Sequence, residues 1–282
     1  MKAESNIAII VVLYHATKKQ IEVFNTLSEC YVVIAVDNSP DDNSCFMKGC
    51  EYIPLYSNKG IAAAQNIGIE KCKQLGIQDI VFFDQDSDVC SDMVSNLVES
   101  FHKVSQSDPN IAALAPTIVN NRRTDSAYPI GIKNEFTLVS SVISSGTTTS
   151  LQVIEDVGMM AEDLFIDYVD FEWCWRASSK GYHLYRAKGI MLPHTVGVAD
   201  TSFLGYPFII SSPERYYYKY RNIILLSKRK YIPAIWKIKS VIRLTATLIH
   251  ILLSGYYTGK RKECLTFATK GLREGLKALF IS

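Results

Sequence analysis

Two carboxylates at the end of an apolar run are the first residues in this sequence that could do chemistry. Asp84 and Asp86 stand two apart in the segment FFDQDS, directly after the apolar residues 79–83. Carboxylate oxygens are the ligands that Mg²⁺ and Mn²⁺ prefer. One carboxylate can bind such a metal while the other accepts a hydrogen bond from a ribose hydroxyl. The same pattern also fits a turn whose carboxylates cap the following helix.

A second acidic group lies in an aromatic-rich segment, residues 163–182, which reads DLFIDYVDFEWCWRASSKGY. Helical spacing would put Asp167 and Asp170 on one face, and it would pair Glu172 with Arg176 at the surface. A carboxylate among aromatic side chains can have a raised pKa and act as a general base. The alternative is an amphipathic helix whose aromatic residues belong to the core.

Polar clusters also follow three other apolar runs. They are Tyr14-His15, Asp37-Asn38-Ser39 and Ser57-Asn58-Lys59-Gly60. Asp37 can accept a hydrogen bond from a pyrimidine N–H, or it can belong to an ordinary turn before Pro40. Asn58 would cap a helix that begins at Ile61, and the N-terminus of a helix attracts anions. His194 could complete a metal shell, although a lone histidine is more often structural.

The elements that must position these residues follow from the apolar pattern. Four runs predict the strands of a parallel sheet, at residues 7–13, 31–36, 52–56 and 79–83. Helical segments are predicted at residues 17–29, 61–75 and 93–104. This alternation predicts an α/β fold, in which ligands bind beyond the carboxyl ends of the strands. The polar clusters fall at those ends, which is the main indication of a functional site.

The second half of the chain is less regular. Strands are predicted at 111–119 and 136–143, a polar turn at 144–149, and helices around 151–160 and 167–178. From Pro213 onward Tyr, Arg, Lys and long aliphatic residues dominate. We therefore predict one domain over 1–212 and a basic helical region over 213–282. That region fits a membrane-surface helix or a lid packed on the domain.

The overall composition excludes several classes of protein. Hydrophobic residues make up 48% of the chain and charged residues 21%, so a sizeable core can form. The net charge of +2 gives no reason to expect nucleic-acid binding. The seven cysteines form no CxxC pair, which favours a reduced, cytoplasmic compartment over a disulfide framework or a zinc site.

Taken in order, the motifs resemble those of the family-2 glycosyltransferases, and most of all those of bacterial rhamnosyltransferases of O-antigen and related polysaccharide assembly. They are LYH, VDN, NKGIAAAQNIG, FFDQDS, SSG, FIDYVDFEWCWR and His194, spread over roughly residues 6–225. The resemblance implies a GT-A fold: a Rossmann-like, mostly parallel sheet with helices on both faces, followed here by a helical appendage. It divides the domain into a nucleotide-sugar (donor) half at about 1–110 and an acceptor half at 111–212. It also implies an inverting, metal-dependent hexosyltransferase. The QxxRW signature of processive members is absent, which indicates addition of one sugar per encounter.

The same resemblance implies roles for individual residues. Asp170 would be the catalytic base, and Asp167 is a rival because Val169 stands where the family often has Glu. Asp86 and His194 would bind Mg²⁺ or Mn²⁺. The nucleotide sugar would be bound by Tyr14, His15, Asp37, Asn38, Asn58, Lys59, Gly60, Asn66, Asp84 and Gln85. Further contacts with donor or acceptor are expected from Ser145, Gly146, Trp173 and Arg221.

The resemblance further implies the substrates and the place of work. The donor would be dTDP-L-rhamnose and the acceptor a polyprenyl-diphosphate-linked oligosaccharide, on the inner face of the cytoplasmic membrane. One alternative is a UDP- or GDP-linked donor. Another is a sugar nucleotidyltransferase, although the segment LYHATKK lacks the glycines of a triphosphate loop. A third is a membrane-docked scaffold or sugar-binding module without catalysis.

Overall fold

The computed structural model describes residues 6–120, 136–194, 199–203, 206–257 and 259–280. The chain divides into two compact units, each described here by itself. The first unit contains Met1–Phe165 and Val169–Thr195, and the second contains Ile166–Tyr168 and Val196–Ser282. The predicted domain boundary at Pro213, with its donor and acceptor halves, stays a prediction.

The first unit is built on an eight-stranded sheet of order β3-β2-β1-β4-β7-β5-β8-β6. Its strands are β1 Ile7–Leu13, β2 Val32–Asp37, β3 Glu51–Pro54, β4 Asp79–Asp84, β5 Ile111–Asn120, β6 Phe136–Val139, β7 Thr148–Ser150 and β8 His183–His194. β1 to β4 pair in parallel, as predicted. β7 is antiparallel to β4 and to β5, and β8 is parallel to β5. The carboxyl ends of β4, β5 and β8 therefore lie at one edge of the sheet.

Among the described residues, five α-helices connect these strands. They are α1 Lys18–Leu27, α2 Ile61–Leu75, α3 Ser91–Ser107, α4 Leu151–Val157 and α5 Val169–Ser179. The start of α5 corrects the predicted start at residue 167. Asp167 and Tyr168 have φ angles of +65° and +67°, a left-handed conformation that a right-handed helix excludes. Asp167 and Asp170 therefore do not share a helix face.

Helices cover both faces of the sheet. Ile9 and Val11 of β1 belong to one buried cluster with Phe24 of α1 and Leu97 of α3. On the other face α2 lies so close that a Cβ at Gly68 would come 2.7 Å from Ile10 Cγ2. This burial on both faces explains why the parallel strands read as continuous apolar runs.

The second unit is a β-hairpin with three helices. It contains β9 Ala199–Phe203, β10 Tyr206–Ile210, α6 Pro213–Lys228, α7 Ala234–Leu253 and α8 Arg261–Phe280. Helix α8 can approach α6 closely because it carries Gly271, where a Cβ would lie 2.2 Å from the backbone oxygen of Tyr217. Among the described helices, none combines the length and the apolar content that crossing a membrane requires.

Candidate active site

Direct hydrogen bonds join the loops that follow β1, β2 and β4. The backbone N–H of Tyr14 donates to Gln85 Oε1 at 2.7 Å, and Gln85 Nε2 donates to the Tyr14 carbonyl at 3.1 Å. The backbone N–H of His15 donates to Ser39 Oγ at 2.8 Å. The side chains of Tyr14 and His15 are exposed. Three loops that are distant in sequence thus form one continuous rim at the carboxyl edge of the sheet.

The segment before α2 is fastened to the same rim. Asn38 Nδ2 donates to the Gly60 carbonyl at 3.1 Å, and its Oδ1 accepts from the Lys59 backbone at 2.8 Å. Asn58 Oδ1 accepts from the Gly60 N–H at 2.9 Å. The cap position of α2 is Gly60, with φ +88° and no side-chain capping bond in the described structure, so the prediction that Asn58 caps this helix is wrong. Glycine is required because a Cβ there would lie 2.7 Å from the Phe165 carbonyl.

Asp37, expected to contact the nucleotide base, has a fully buried side chain with 0% exposure. Its carboxylate accepts hydrogen bonds from the Ser39 N–H at 2.9 Å, from Asn43 Nδ2 at 2.7 Å and from the Tyr52 hydroxyl at 2.9 Å. Burial, together with the Asp37 charge, raises the pKa of Tyr52, which keeps that hydroxyl a donor. Asp37 and Tyr52 therefore set the path of the chain after β2. Tyr52 was missed in the sequence because its strand is short and weakly patterned.

Asn66, expected in the nucleotide pocket, is also buried and bonded to the chain itself. Its Nδ2 donates to the Met160 carbonyl at 3.0 Å and to Glu162 Oε1 at 2.8 Å. Its Oδ1 accepts from the Met160 N–H at 2.9 Å. Next to it, Gln65 Nε2 donates to Ser144 Oγ at 2.7 Å, a link that sequence reasoning missed. Helix α2 is thus bonded to two loops: the one between β6 and β7, and the one between α4 and α5.

The two carboxylates after β4 sit at this rim. Asp84 is half-buried and Asp86 is exposed. The Ser87 N–H donates to the Asp84 carbonyl at 3.0 Å and closes the turn between them. Ser87 Oγ lies 2.6 Å from Oγ of the buried Ser145. The Gly146 N–H donates to the Phe82 carbonyl at 2.7 Å. The turn that contains Ser145 and Gly146 therefore packs directly on the end of β4.

Asp170 lies in the first turn of α5 and is half-buried. Its Oδ1 accepts from the Phe171 N–H at 2.8 Å, and the Ser144 backbone also donates to the carboxylate. Burial raises its pKa to about 7, and the negative charge of Asp84 adds to the rise. The carboxylates of Asp84 and Asp170 thus lie close enough to interact. A carboxyl group with a pKa near neutrality is suited to general-base catalysis.

Helix α5, which carries Asp170, also contains a largely buried ion pair between Glu172 and Arg176. Glu172, only 1% exposed, accepts from Arg176 Nε at 3.1 Å and from Nη2 at 3.0 Å. Arg176 also donates to the carbonyls of Val157 at 3.1 Å and Met159 at 2.6 Å. The prediction that Glu172 and Arg176 form a surface pair is therefore wrong. Trp173 is buried as well, with its indole N–H on the Gly158 carbonyl at 2.9 Å, so it belongs to the packing under α5.

The rival base and one further candidate belong to the second unit. Both carboxylate oxygens of Asp167 accept from the Arg215 guanidinium, at 2.5 and 3.3 Å. The Asp167 carbonyl accepts from Asn222 Nδ2 at 3.1 Å. Arg221 lies on α6 with its guanidinium 5.4 and 5.3 Å from the rings of Tyr217 and Tyr218. Both carboxylate oxygens of Asp167 are thus already bonded to Arg215.

The predicted metal site can be compared with the side chains at the rim that could bind a cation. The described residues contain no group of three His, Cys, Asp or Glu side chains that could hold a cation by themselves. Mg²⁺ does not require one, since it usually keeps several waters and binds one or two carboxylates together with substrate phosphates. The exposed Asp86 fits that requirement. His194 ends β8 at the same sheet edge, but its side chain lies outside the described part of the chain.

Comparison with known proteins identifies similar chains. No protein-family model matches. The chain is 34% identical over 270 residues to the dTDP-rhamnosyl transferase RfbF of Shigella flexneri, covering 88% of each protein. It is 22% identical over 272 residues to the low-salt glycan biosynthesis hexosyltransferase Agl10 of Haloferax volcanii, covering 89% of this chain and 83% of that protein.

The fold is similar to that of a solved structure. The crystal structure of GalNAc-T7 with UDP, GalNAc and Mn²⁺ matches with a TM-score of 0.53 and 11% identity, over 82% of this chain and 53% of that one. The crystal structure of S. aureus TarS matches with a TM-score of 0.49 and 15% identity, over 89% and 44%. The chain thus spans about half the length of these structures. The predicted α/β, GT-A-like fold class is confirmed.

Proposed function

The chain belongs to the rhamnosyltransferase-like family-2 glycosyltransferases, and we propose that it transfers L-rhamnose from dTDP-L-rhamnose, with inversion and one sugar at a time. That it is a glycosyltransferase of polysaccharide synthesis follows from the 34% identity over 88% of the chain. The donor sugar, the stereochemistry and a lipid-linked acceptor hydroxyl are the proposed parts.

One observation carries the catalytic proposal: the half-buried Asp170 lies close to Asp84, at the carboxyl edge of the sheet, and its pKa is raised to about 7. This edge is where ligands of open α/β sheets bind. A base in this place must lose its proton near neutral pH and take one from the acceptor. Asp167 is the weaker candidate because both of its carboxylate oxygens are already bonded to Arg215.

The reaction that fits this arrangement is a single displacement. Asp170 accepts the proton of an acceptor hydroxyl, and the oxygen forms a bond to the anomeric carbon. The bond from that carbon to the diphosphate breaks on the opposite side, and the diphosphate leaves with the electron pair. One such step inverts the anomeric centre, so a β-linked donor yields an α-rhamnoside. The electron balance closes without a covalent intermediate on the enzyme.

The nucleotide-binding residues divide into two groups by exposure. Tyr14, His15, Asn58 and Lys59 are exposed at the rim and available to a ligand, whereas Asp37, Asn38, Gly60 and Asn66 are buried. We assign direct contacts with the donor to the exposed group and to Asp84 and Gln85. The buried group positions the loops through its hydrogen bonds, which keeps the rim ordered before the donor arrives.

Asp86 would hold a divalent cation at the rim, either Mg²⁺ or Mn²⁺, with His194 as a further proposed ligand. When bound, such a cation neutralises the negative charge that grows on a departing diphosphate. Ser145 and Gly146 shape the floor beside this position through their contacts with the end of β4. Arg221 remains a proposed contact with donor or acceptor, and it belongs to the second unit.

The acceptor is proposed to be a polyprenyl-diphosphate-linked oligosaccharide at the inner face of the cytoplasmic membrane. The charge of the second unit supports a membrane surface, since no Asp or Glu occurs between Glu214 and Glu263, whereas Lys and Arg are frequent there. Cationic segments of this kind are attracted to anionic leaflets.

A donor screen tests the proposal. Purified protein with Mg²⁺ or Mn²⁺ is offered a panel of UDP-, dTDP- and GDP-sugars, and release of the nucleotide is measured. We expect release of dTDP from dTDP-L-rhamnose above all others, and an α-linked product by NMR. Turnover restricted to a UDP- or GDP-sugar would reassign the donor. Pyrophosphate release from a nucleoside triphosphate and a sugar phosphate would indicate a nucleotidyltransferase instead.

A further inference from the structure

Helix α7 exposes a continuous set of large apolar side chains. They are Ile235, Ile238, Val241, Ile242, Ile249, Leu252 and Leu253, each between 43 and 67% exposed. In the first unit the exposed large apolar side chains are scattered over different elements, for example Phe46, Leu75 and Leu138. Scattered exposure of this kind is normal for proteins, whereas a contiguous apolar patch marks an interaction surface.

These seven side chains lie on one face of the helix, here called the α7 apolar face. From Ile235 the series continues through Ile238, Ile242, Ile249 and Leu252, at helical steps of three, four and seven residues. The opposite face packs inside the second unit. At 1.5 Å per residue the exposed face is about 27 Å long, so it extends along nearly the whole helix.

Cations border this face and acids are absent. Lys239 and Arg243 are exposed along one edge, and the half-buried Lys237 lies beyond the other. The cations Lys228 and Lys230 are exposed just before the helix. The sequence of α7 contains no Asp or Glu. An apolar centre flanked by cations is the pattern of a helix that lies in the headgroup region of an anionic bilayer.

The same charges argue against a second copy of this chain as the partner. Helices that pair along an apolar seam usually place opposite charges along its two edges. Two copies of α7 could offer only Lys and Arg to each other, because the helix has no carboxylate. Like charges would then meet along the seam, whereas anionic lipid headgroups would neutralise them.

We propose that the α7 apolar face docks the protein onto an anionic lipid bilayer, with the helix lying in the plane of the membrane surface. The apolar side chains would enter the boundary between headgroups and acyl chains, and Lys239 and Arg243 would contact the lipid phosphates. The role of this docking rests on the proposed function, since a lipid-linked acceptor must be met at that surface.

Vesicle binding by the full chain tests the proposal. Binding to phosphatidylcholine vesicles is compared with binding to vesicles that also contain phosphatidylglycerol, by co-sedimentation at low and high salt. We expect at least about ten-fold tighter binding to the anionic vesicles and weaker binding as salt rises. Equal binding to both kinds of vesicle, or no binding to either, overturns the proposal.

Matched variants locate the surface. Ile238→Gln combined with Ile242→Gln should reduce binding to anionic vesicles at least about ten-fold. Leu138→Gln is the control, because Leu138 of β6 is 60% exposed, as Ile238 is at 59%. Lys239→Ser should weaken binding about five-fold, and Lys103→Ser on α3 should leave it unchanged. Full binding by the double Ile variant overturns the assignment of the face. So does a dimer in sedimentation equilibrium that the double variant abolishes.

The donor assay on the same samples separates this proposal from the proposed function. The double Ile variant should release dTDP from dTDP-L-rhamnose in solution at the rate of the unaltered chain. Turnover without vesicle binding overturns the docking proposal alone. Vesicle binding without turnover of any nucleotide sugar overturns the proposed function alone.

Discussion

The rim of the first unit and helix α7 of the second unit differ in which side chains they bury and which they expose. The first unit buries polar groups beneath its rim, among them Asp37, Asn66 and Glu172, and each has several partners in the chain. The second unit leaves the apolar face of α7 in contact with solvent. Buried polar networks make loops rigid, whereas exposed apolar surface adds nothing to folding. The buried network of the first unit therefore fits the proposed positioning role, and the exposed face of α7 fits the proposed docking.

Two carboxylates three residues apart show the same contrast on a smaller scale. Asp167, in the second unit, holds the guanidinium of Arg215 with both oxygens. Asp170, in the first unit, accepts hydrogen bonds from the Phe171 and Ser144 backbone, and burial raises its pKa to about 7. A carboxylate that is paired with a cation stabilises the structure. A buried carboxylate whose pKa lies near neutrality can exchange protons.

The largest expected effect is on turnover. Asp170→Asn removes the proposed base and should lower turnover by about 10³-fold, while the affinity for dTDP changes by less than about two-fold. Steady-state kinetics and calorimetry measure the two quantities. Asp92→Asn, an exposed carboxylate on α3, is the control. Near-normal turnover in Asp170→Asn, together with loss in Asp167→Asn, would move the base to the second unit and break the comparison.

The next effect is on the stability of the first unit. Glu172→Gln removes the carboxylate partner of the half-buried Arg176 guanidinium and should reduce the free energy of unfolding by about 3 kcal/mol. Urea titration followed by fluorescence measures it. Glu155→Gln breaks the exposed pair with Lys73, at 2.8 Å, and should change that free energy by less than about 1 kcal/mol. Equal losses in both variants would show that burial of this ion pair does not matter.

A third prediction concerns pH. The folded state raises the pKa of Asp170 from 3.8 to about 7, so it favours the protonated form. That stabilising contribution is complete below about pH 4 and is lost as the pH rises through 7. At pH 8 the free energy of unfolding of Asp170→Asn should therefore exceed that of the unaltered chain by about 1–4 kcal/mol, and this advantage should vanish near pH 4.

Turnover should follow the same titration in the opposite sense. The unaltered chain should lose activity below about pH 7, by about ten-fold per pH unit, because its base becomes protonated. The free energies of unfolding of the unaltered chain and of Asp170→Asn are compared at both pH values. A difference between them that stays constant from pH 4 to pH 8 would show that Asp170 titrates at its ordinary pKa.

The smallest expected effect lies in the second unit. Gly271→Ala would normally stabilise a helix by about 1 kcal/mol, but its Cβ would lie 2.2 Å from the Tyr217 backbone oxygen. The clash should outweigh the gain and leave a net loss of about 1–2 kcal/mol in the free energy of unfolding. At Gly255 no described heavy atom lies within 4 Å of an added Cβ, so Gly255→Ala should have little effect. A stabilised Gly271→Ala would mean that α8 lies further from α6.

Elements with a strong local pattern could be predicted from the sequence. The predicted bounds of β1 and α2 agree with the structure, since each has a regular apolar pattern and clear polar ends. The start of α5 was predicted wrongly because Asp167 and Tyr168 adopt left-handed angles, although both residues are compatible with a helix. Asn58 was assigned to the helix cap because nothing local shows that Gly60 takes that position, close to Phe165.

By itself the sequence determined the order of strands and helices in the first 107 residues and the edge of the sheet that carries the polar clusters. Those features depend on the periodicity and composition of short segments, which can be read from neighbouring residues. Only the tertiary structure decided which carboxylates are paired within the chain and which one has a raised pKa. It places Arg215 on Asp167, three donors on Asp37 and the charge of Asp84 near Asp170. Such contacts join residues far apart in the chain, and burial and charge act through distances in space.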